Sequence, residues 1–173
     1  HIGLWAPALL VTLRLMQAYF RTTPHPDRRG GLAALTEGLP FSFPLRRTLT
    51  DMVGRRVDPV LFALSRDYVG DTAETIALTW PDPAHPAEAP RLSEIVSELA
   101  LVDRNALADL LEKWLDTLDA TGRWALLKLL TGALRVGVSA RLAKTAAANL
   151  AGFEVEQVEE VWHGLAPPYE PLF

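Results

Sequence analysis

The chain has 173 residues, 49% of them hydrophobic, and a net charge of −4, enough length and apolar content to bury about two thirds of the surface its unfolded form exposes. Cysteine is absent, which excludes disulfides and thiolate metal sites and is compatible with a reducing compartment. The acidic balance does not advertise a nucleic-acid binder, because such domains commonly carry a basic excess.

The opening HIGLWAPALLVTL is apolar but stops at Arg14, short of the roughly 18 to 20 residues a bilayer span needs. It shows neither a basic n-region nor a small-residue cleavage site, and the chain starts at His1 rather than methionine. An excised or tagged fragment whose apolar start packs as a helix on the core is the expectation. Arg14 to Arg21 carries Leu15, Ala18 and Tyr19 at helical spacing before TTPHP breaks the run. Asp27 is expected to cap a short helix reaching Leu35 or Thr36, closed by Gly38 and Pro40. From Pro44 to Arg56 the stripe Leu45, Leu49, Met52 and Val53 marks an amphipathic helix with proline in its first turn. Asp58 followed by Pro59 starts another, and Asp71 with Glu74 three residues on has capping-box spacing for a helix to about Trp80.

Prolines 81, 83, 86 and 90 then make an exposed connection that is expected to divide the chain into two helical lobes. Beyond it, a helix runs from Ser93, and a second follows the cap Asp103 with Leu107, Leu110, Leu111, Trp114 and Leu115 inward. A third spans Thr121 to Gly132, a fourth runs from the cap Ser139 to the stop Gly152, and a last runs from Val155 to near His163. No run of alternating β-branched residues appears, so the fold class is all-α, a compact multi-helix domain.

Charge is unevenly placed. Residues 120–153 hold no Asp or Glu but five cations, Arg123, Lys128, Arg135, Arg141 and Lys144, so the rest of the chain carries −9 against a total of −4. A basic island in an acidic protein suggests a surface meant for an anion. Weaker basic pairs stand at Arg28 and Arg29, Arg46 and Arg47, and Arg55 and Arg56, and solvated helix faces account for any one of them. Within the island, TGALRVGVSARLAK places Gly132 and Gly137 around Arg135, ahead of Ser139. Glycines let backbone N–H groups approach a ligand, the first N–H groups of a helix lack internal partners, and the dipole adds partial positive charge. Such a turn is suited to phosphate, with Arg135 supplying a forked donor. The alternative is ligand-free: Gly132 as a helix stop, Gly137 as a turn residue and Ser139 as an N-cap.

The G-x4-G skeleton is not a nucleotide P-loop, because Val138 stands where the phosphate lysine belongs and WALLKLL has helical periodicity. The histidines at 1, 25, 85 and 163 lie far apart without a second ligand at metal spacing, so no metal site is expected. Carboxylates at 154, 156, 159 and 160 read as a solvated face, and Ser65 and Ser139 have no histidine near in sequence for nucleophilic chemistry. Trp80, Trp114, Trp124 and Trp162 are expected in the core. No catalytic residue is assigned.

The segments GRWALLKLLTGALRVGVSARLAKTAAANLAG and EEVWHGLAPPYEPLF, together with RVDPVLFALSRDYVGDTAETIALTW upstream, resemble the N-terminal DNA-binding domain of bacterial-type ATP-dependent DNA ligases. The resemblance runs from about Leu13 to Phe173. It implies a helical DNA-binding domain over 13–165, an extended linker over 166–173 towards a nucleotidyltransferase domain, and binding across the minor groove of nicked double-stranded DNA through phosphates. The family's phosphate-contacting loop falls on Gly132, Arg135, Gly137 and Ser139; Arg141 and Lys144 join it on charge and helical spacing. The resemblance further implies a parent enzyme that seals 3′-OH/5′-phosphate nicks in DNA repair, replication or recombination, using ATP, Mg2+ and the lysine of a K-x-D-G motif. Its nucleotidyltransferase and OB-fold domains would be this chain's partners, in a monomer of the bacterial cytoplasm near the nucleoid, with no membrane. No K-x-D-G occurs here, since Lys113, Lys128 and Lys144 are followed by Trp, Leu and Thr, so the fragment alone is expected to need no cofactor and to be inactive. Residues 1–12 depart from the family's more polar opening, as a vector-derived, wrongly built or divergent segment without a role. The competing class is a helical protein-interaction module that uses the proline-rich loop or the acidic last helix.

Overall fold

A computed structural model describes residues 6–36, 43, 45–83, 87–103, 105–131, 139–162 and 164–165, with side chains from residue 11 onward. Among them are ten helices: α1 (Ala6–Thr22), α2 (His25–Leu35), α3 (Arg46–Arg56), α4 (Pro59–Val69), α5 (Thr72–Thr79), α6 (Leu92–Leu101), α7 (Leu107–Thr117), α8 (Ala120–Leu130), α9 (Ala140–Ala151) and α10 (Val155–Trp162). The described elements are therefore all-α. Gly38, Pro40, Pro44, Gly132, Arg135, Gly137, His163 and the 166–173 tail lie outside the described residues.

Local chemistry starts several of these helices. One Asp58 carboxylate oxygen accepts the N–H groups of Val60 and Leu61, each at 2.9 Å, ahead of a first-turn Pro59. Asp71 takes the Glu74 N–H at 2.8 Å, Asp119 takes that of Gly122 at 2.7 Å, and Ser139 Oγ takes that of Leu142 at 3.2 Å. Asp103 accepts from Asn105 and Ala106 just before α7. Gly70 and Gly152 end α4 and α9 with φ of 78° and 77°, a left-handed turn that costs a residue with Cβ more than glycine. Asp27 departs from its expected role. Pro24 holds the N-cap position of α2, and Asp27 lies buried in the first turn, where the dipole favours its charge.

The helices form two compact units, α3 to α8 in one and α1, α2, α9 and α10 in the other. The expected division at the proline-rich connection is thus overturned, since α5 packs on α8 and α3 on α7 across it in sequence. Proline interrupts a helix but does not choose which apolar faces meet. In the first unit those faces bury Leu49, Met52, Ile76, Trp80, Leu111, Trp114 and Leu127 together. Trp80 and Trp114 are in this core as expected, whereas Trp124 and Trp162 are only half-buried.

The second unit is built on small residues. Ala143, Ala146, Ala147 and Ala148 of α9 are buried, and α9 packs against α1, α2 and α10. With no side chain beyond Cβ, that strip lets Phe20, Leu32 and Met16 close over it. On α1 the buried strip is Met16 and Phe20, while Leu15 and Tyr19 of the expected stripe are exposed. Both strips have helical spacing, and contact with α9 selects between them.

Candidate nucleic-acid interface

The sequence reading centres on residues 132–144, of which Gly132, Arg135 and Gly137 lie outside the described residues. Ser139 is extended at the start of α9 (φ −76°, ψ 151°), and its hydroxyl oxygen caps the helix. The Ala140 and Arg141 N–H groups, which precede the capped one, have no partner among the described residues. An N-terminal turn of this kind carries partial positive charge and open donors.

Arg141 adds a cation to that turn and is held there by α10. Its guanidinium donates to Glu159 Oε2 at 3.2 Å and to Glu156 Oε1 at 3.5 Å, while its side chain stays 63% exposed. One turn on, the Lys144 ammonium lies 4.2 Å from the Trp162 ring centroid, a cation–π contact. Glu156, Glu159 and Trp162 recur every third residue on α10 and meet the pair Arg141 and Lys144, themselves three apart on α9. The left-handed turn at Gly152 folds α10 back along α9 to make this possible. Part of the acidic face expected to be only solvated is therefore engaged. The available signal was the matching three-residue spacing on either side of Gly152.

Two further cations of the island, Arg123 and Lys128, are committed within the α3 to α8 unit. Arg123 is 1% exposed. Its Nε donates to the Leu115 carbonyl at 2.8 Å, and its terminal nitrogens reach Trp80 O at 3.1 Å, Pro81 O at 3.3 Å and Asp82 Oδ1 at 3.4 Å. Lys128 is bound to the Asp71 carboxylate, and that hydrogen bond, with a second from the Glu74 N–H, holds Asp71 below the usual carboxylate range. Arg123 and Lys128 also belong to the other compact unit from Arg141 and Lys144. Arg123 and Lys128 are thus taken out of the expected basic island, because linear charge density does not record which cations the fold uses to tie its own helices. The weaker basic pairs are sorted likewise. Arg55 and Arg56 are engaged by Glu112 and Asp116, and Arg28 donates to Thr23 O at 3.1 Å. Arg46 and Arg47 are exposed, with no ion pair among the described residues.

A second feature lies in the α3 to α8 unit. A groove of about 370 Å3 between α3, α4 and α5 is floored by Leu49, Val53, Phe62 and Ile76 and edged by Arg46 and Arg66. None of the residues of α4 is buried, and Val60, Leu64 and Tyr68 are exposed along one strip. No group of three or more His, Asp or Glu placed to hold a metal ion occurs among the described residues, and no described helix is long and apolar enough to cross a membrane.

The arrangement defines an all-α protein with a capped, cation-bearing helix start on one unit and an apolar groove on the other. Comparison with protein-family models, with curated proteins and with solved structures gave no match.

Proposed function

We propose that this chain binds nicked duplex DNA through its phosphates, independently of base sequence, as the DNA-binding domain of an ATP-dependent DNA ligase. The observation that carries the reading is the start of α9. There, the glycine and arginine-bearing segment that resembles the ligase loop runs into a Ser139-capped turn with open N–H groups and two exposed or half-exposed cations behind it. An anion placed there meets the positive end of the helix dipole and a forked guanidinium.

The mechanism is positional. Sealing a nick requires a 3′ hydroxyl and a 5′ phosphate held in line, and gripping the duplex supplies that orientation. Nicks occur in any sequence, so the grip is best made on phosphates, which position without specifying. ATP and Mg2+ supply the adenylation chemistry of the parent's nucleotidyltransferase domain. This chain lacks K-x-D-G, and no bond-making step is assigned to its residues.

The test is a fluorescence anisotropy titration of a nicked duplex at several salt concentrations. With Arg123 and Lys128 committed to the fold, Arg135, Arg141 and Lys144 remain to meet phosphates. About three neutralised charges give a slope of log affinity against log salt of about −3; a slope near zero sinks the proposal.

One observation favours a second reading, a protein-interaction module. The exposed Val60, Leu64 and Tyr68 strip lies on the helix that walls the apolar groove, and apolar patches of this kind mark interaction sites. A gel shift of nicked duplex with the chain alone separates the two, since the interaction module leaves the DNA unshifted.

A further inference from the structure

A cation in the first turn of a helix is misplaced with respect to the dipole and invites a compensating anion. At Arg141 that anion comes from the protein itself, as the Glu159 and Glu156 carboxylates at 3.2 and 3.5 Å. We infer that Glu156 and Glu159 occupy the place of a DNA phosphate on Arg141, so that α10 is a built-in competitor setting the affinity of this face for DNA. The inference rests on the phosphate-binding reading above and deepens it.

Three features carry it. Both pairs are open to solvent, with side-chain exposures of 63% for Arg141, 69% for Glu156 and 32% for Glu159, and exposed ion pairs are individually weak. The two carboxylates take one terminal guanidinium nitrogen each, whereas one phosphate can accept from both, so exchange is close to balanced rather than blocked. Lys144, one turn along α9, is held by the Trp162 ring instead of a carboxylate and has no ion pair among the described residues. It stays available while Arg141 is contested. One face of α10 thus holds one cation by competition and steadies the other. DNA that reaches this turn must displace two carboxylates from Arg141, which limits weak, indiscriminate binding.

The experiment is a mutant cycle on the full chain, read by anisotropy with a fluorescein-labelled nicked duplex. Wild type, E156Q/E159Q, R141A and the triple variant are compared, with helical content checked by circular dichroism. Freed of its carboxylates, Arg141 should raise affinity about three- to tenfold in E156Q/E159Q, and the gain should vanish when R141A is present. E156D/E159D keeps both negative charges but shortens their reach, and should recover part of the gain. A gain that survives R141A reports only a weaker repulsive field and overturns the inference, as does equal affinity of wild type and E156Q/E159Q. If wild type binds no nicked duplex, the DNA reading itself fails. Should the double variant lose helical content, E156Q alone, at the more exposed glutamate, carries the same comparison.

Discussion

Arg123 donates from Nε to the carbonyl oxygen of Leu115 at 2.8 Å, deep in the α3 to α8 unit. Leu115 lies in the last turn of α7, and Trp80, whose carbonyl accepts from the same guanidinium at 3.1 Å, is the C-cap residue of α5. One side chain therefore serves the carbonyl ends of two helices, where terminal acceptors lack internal donors and the dipoles favour a cation. Pro81 and Asp82 close around it, which is why the proline-rich connection begins on the surface of this unit rather than separating two.

Arg123→Met should unfold the unit more easily, by about 3 kcal/mol, because several buried acceptors lose a charged donor together. Chemical denaturation measures it. Arg123→Lys should recover little, since one ammonium cannot reproduce the planar fork. At a temperature where both variants remain folded, DNA affinity should match wild type; a large loss there would return Arg123 to the binding surface.

Asp71 ties pH to stability. Its folded value lies below the ordinary carboxylate value of about 3.9 because Lys128 and the Glu74 N–H hydrogen-bond its charged form. The stabilisation is then complete above the unfolded value and is lost as pH falls from about 4 through the lower folded value. Asp71→Asn should remove the ion pair while keeping a side-chain oxygen for the cap, and flatten stability against pH in that acidic range. Denaturation midpoints from pH 3 to 6 test this, and an unchanged acid limb would contradict the assignment.

The alanine strip of α9 predicts a size limit. Ala147→Leu inserts three carbons where α9 meets its neighbours and should cost about 1 to 3 kcal/mol through overpacking. Ala140→Leu, at an exposed position of the same helix, should be nearly silent in the same thermal melt.

For the proposed interface, Arg135→Ala should weaken binding to all duplex sequences about equally and make the salt slope shallower by about one. A change confined to one base pair would indicate base readout. Leu64→Glu on α4 should leave both fold and DNA affinity unchanged, because its side chain is 66% exposed.

The caps at Asp58, Asp71 and Ser139 and the stop at Gly152 were legible, because each depends on a hydrogen bond or dihedral within about three residues of chain, whereas Asp103 serves the turn ahead of α7, whose N-cap position falls to Ala106. The same locality made the all-α class readable, along with the buried stripe Leu45, Leu49, Met52 and Val53. Asp119 caps α8 by the same rule, one residue ahead of the helix start and three before the Gly122 N–H it accepts. On α1, two strips fitted the helical period equally, so periodicity had no means to choose Met16 and Phe20.

Sequence alone thus determined several helix starts, the stop at Gly152, and where glycine, arginine and serine cluster. Tertiary structure alone decided the use of each charge: Arg123 buried over two helix ends, Lys128 bound to Asp71 57 residues away, Arg141 facing Glu159 across Gly152. The reason is range. A cap is a contact between neighbours, whereas the partner of a long cationic side chain is whichever acceptor packing brings within reach, and that depends on which helical faces bury each other.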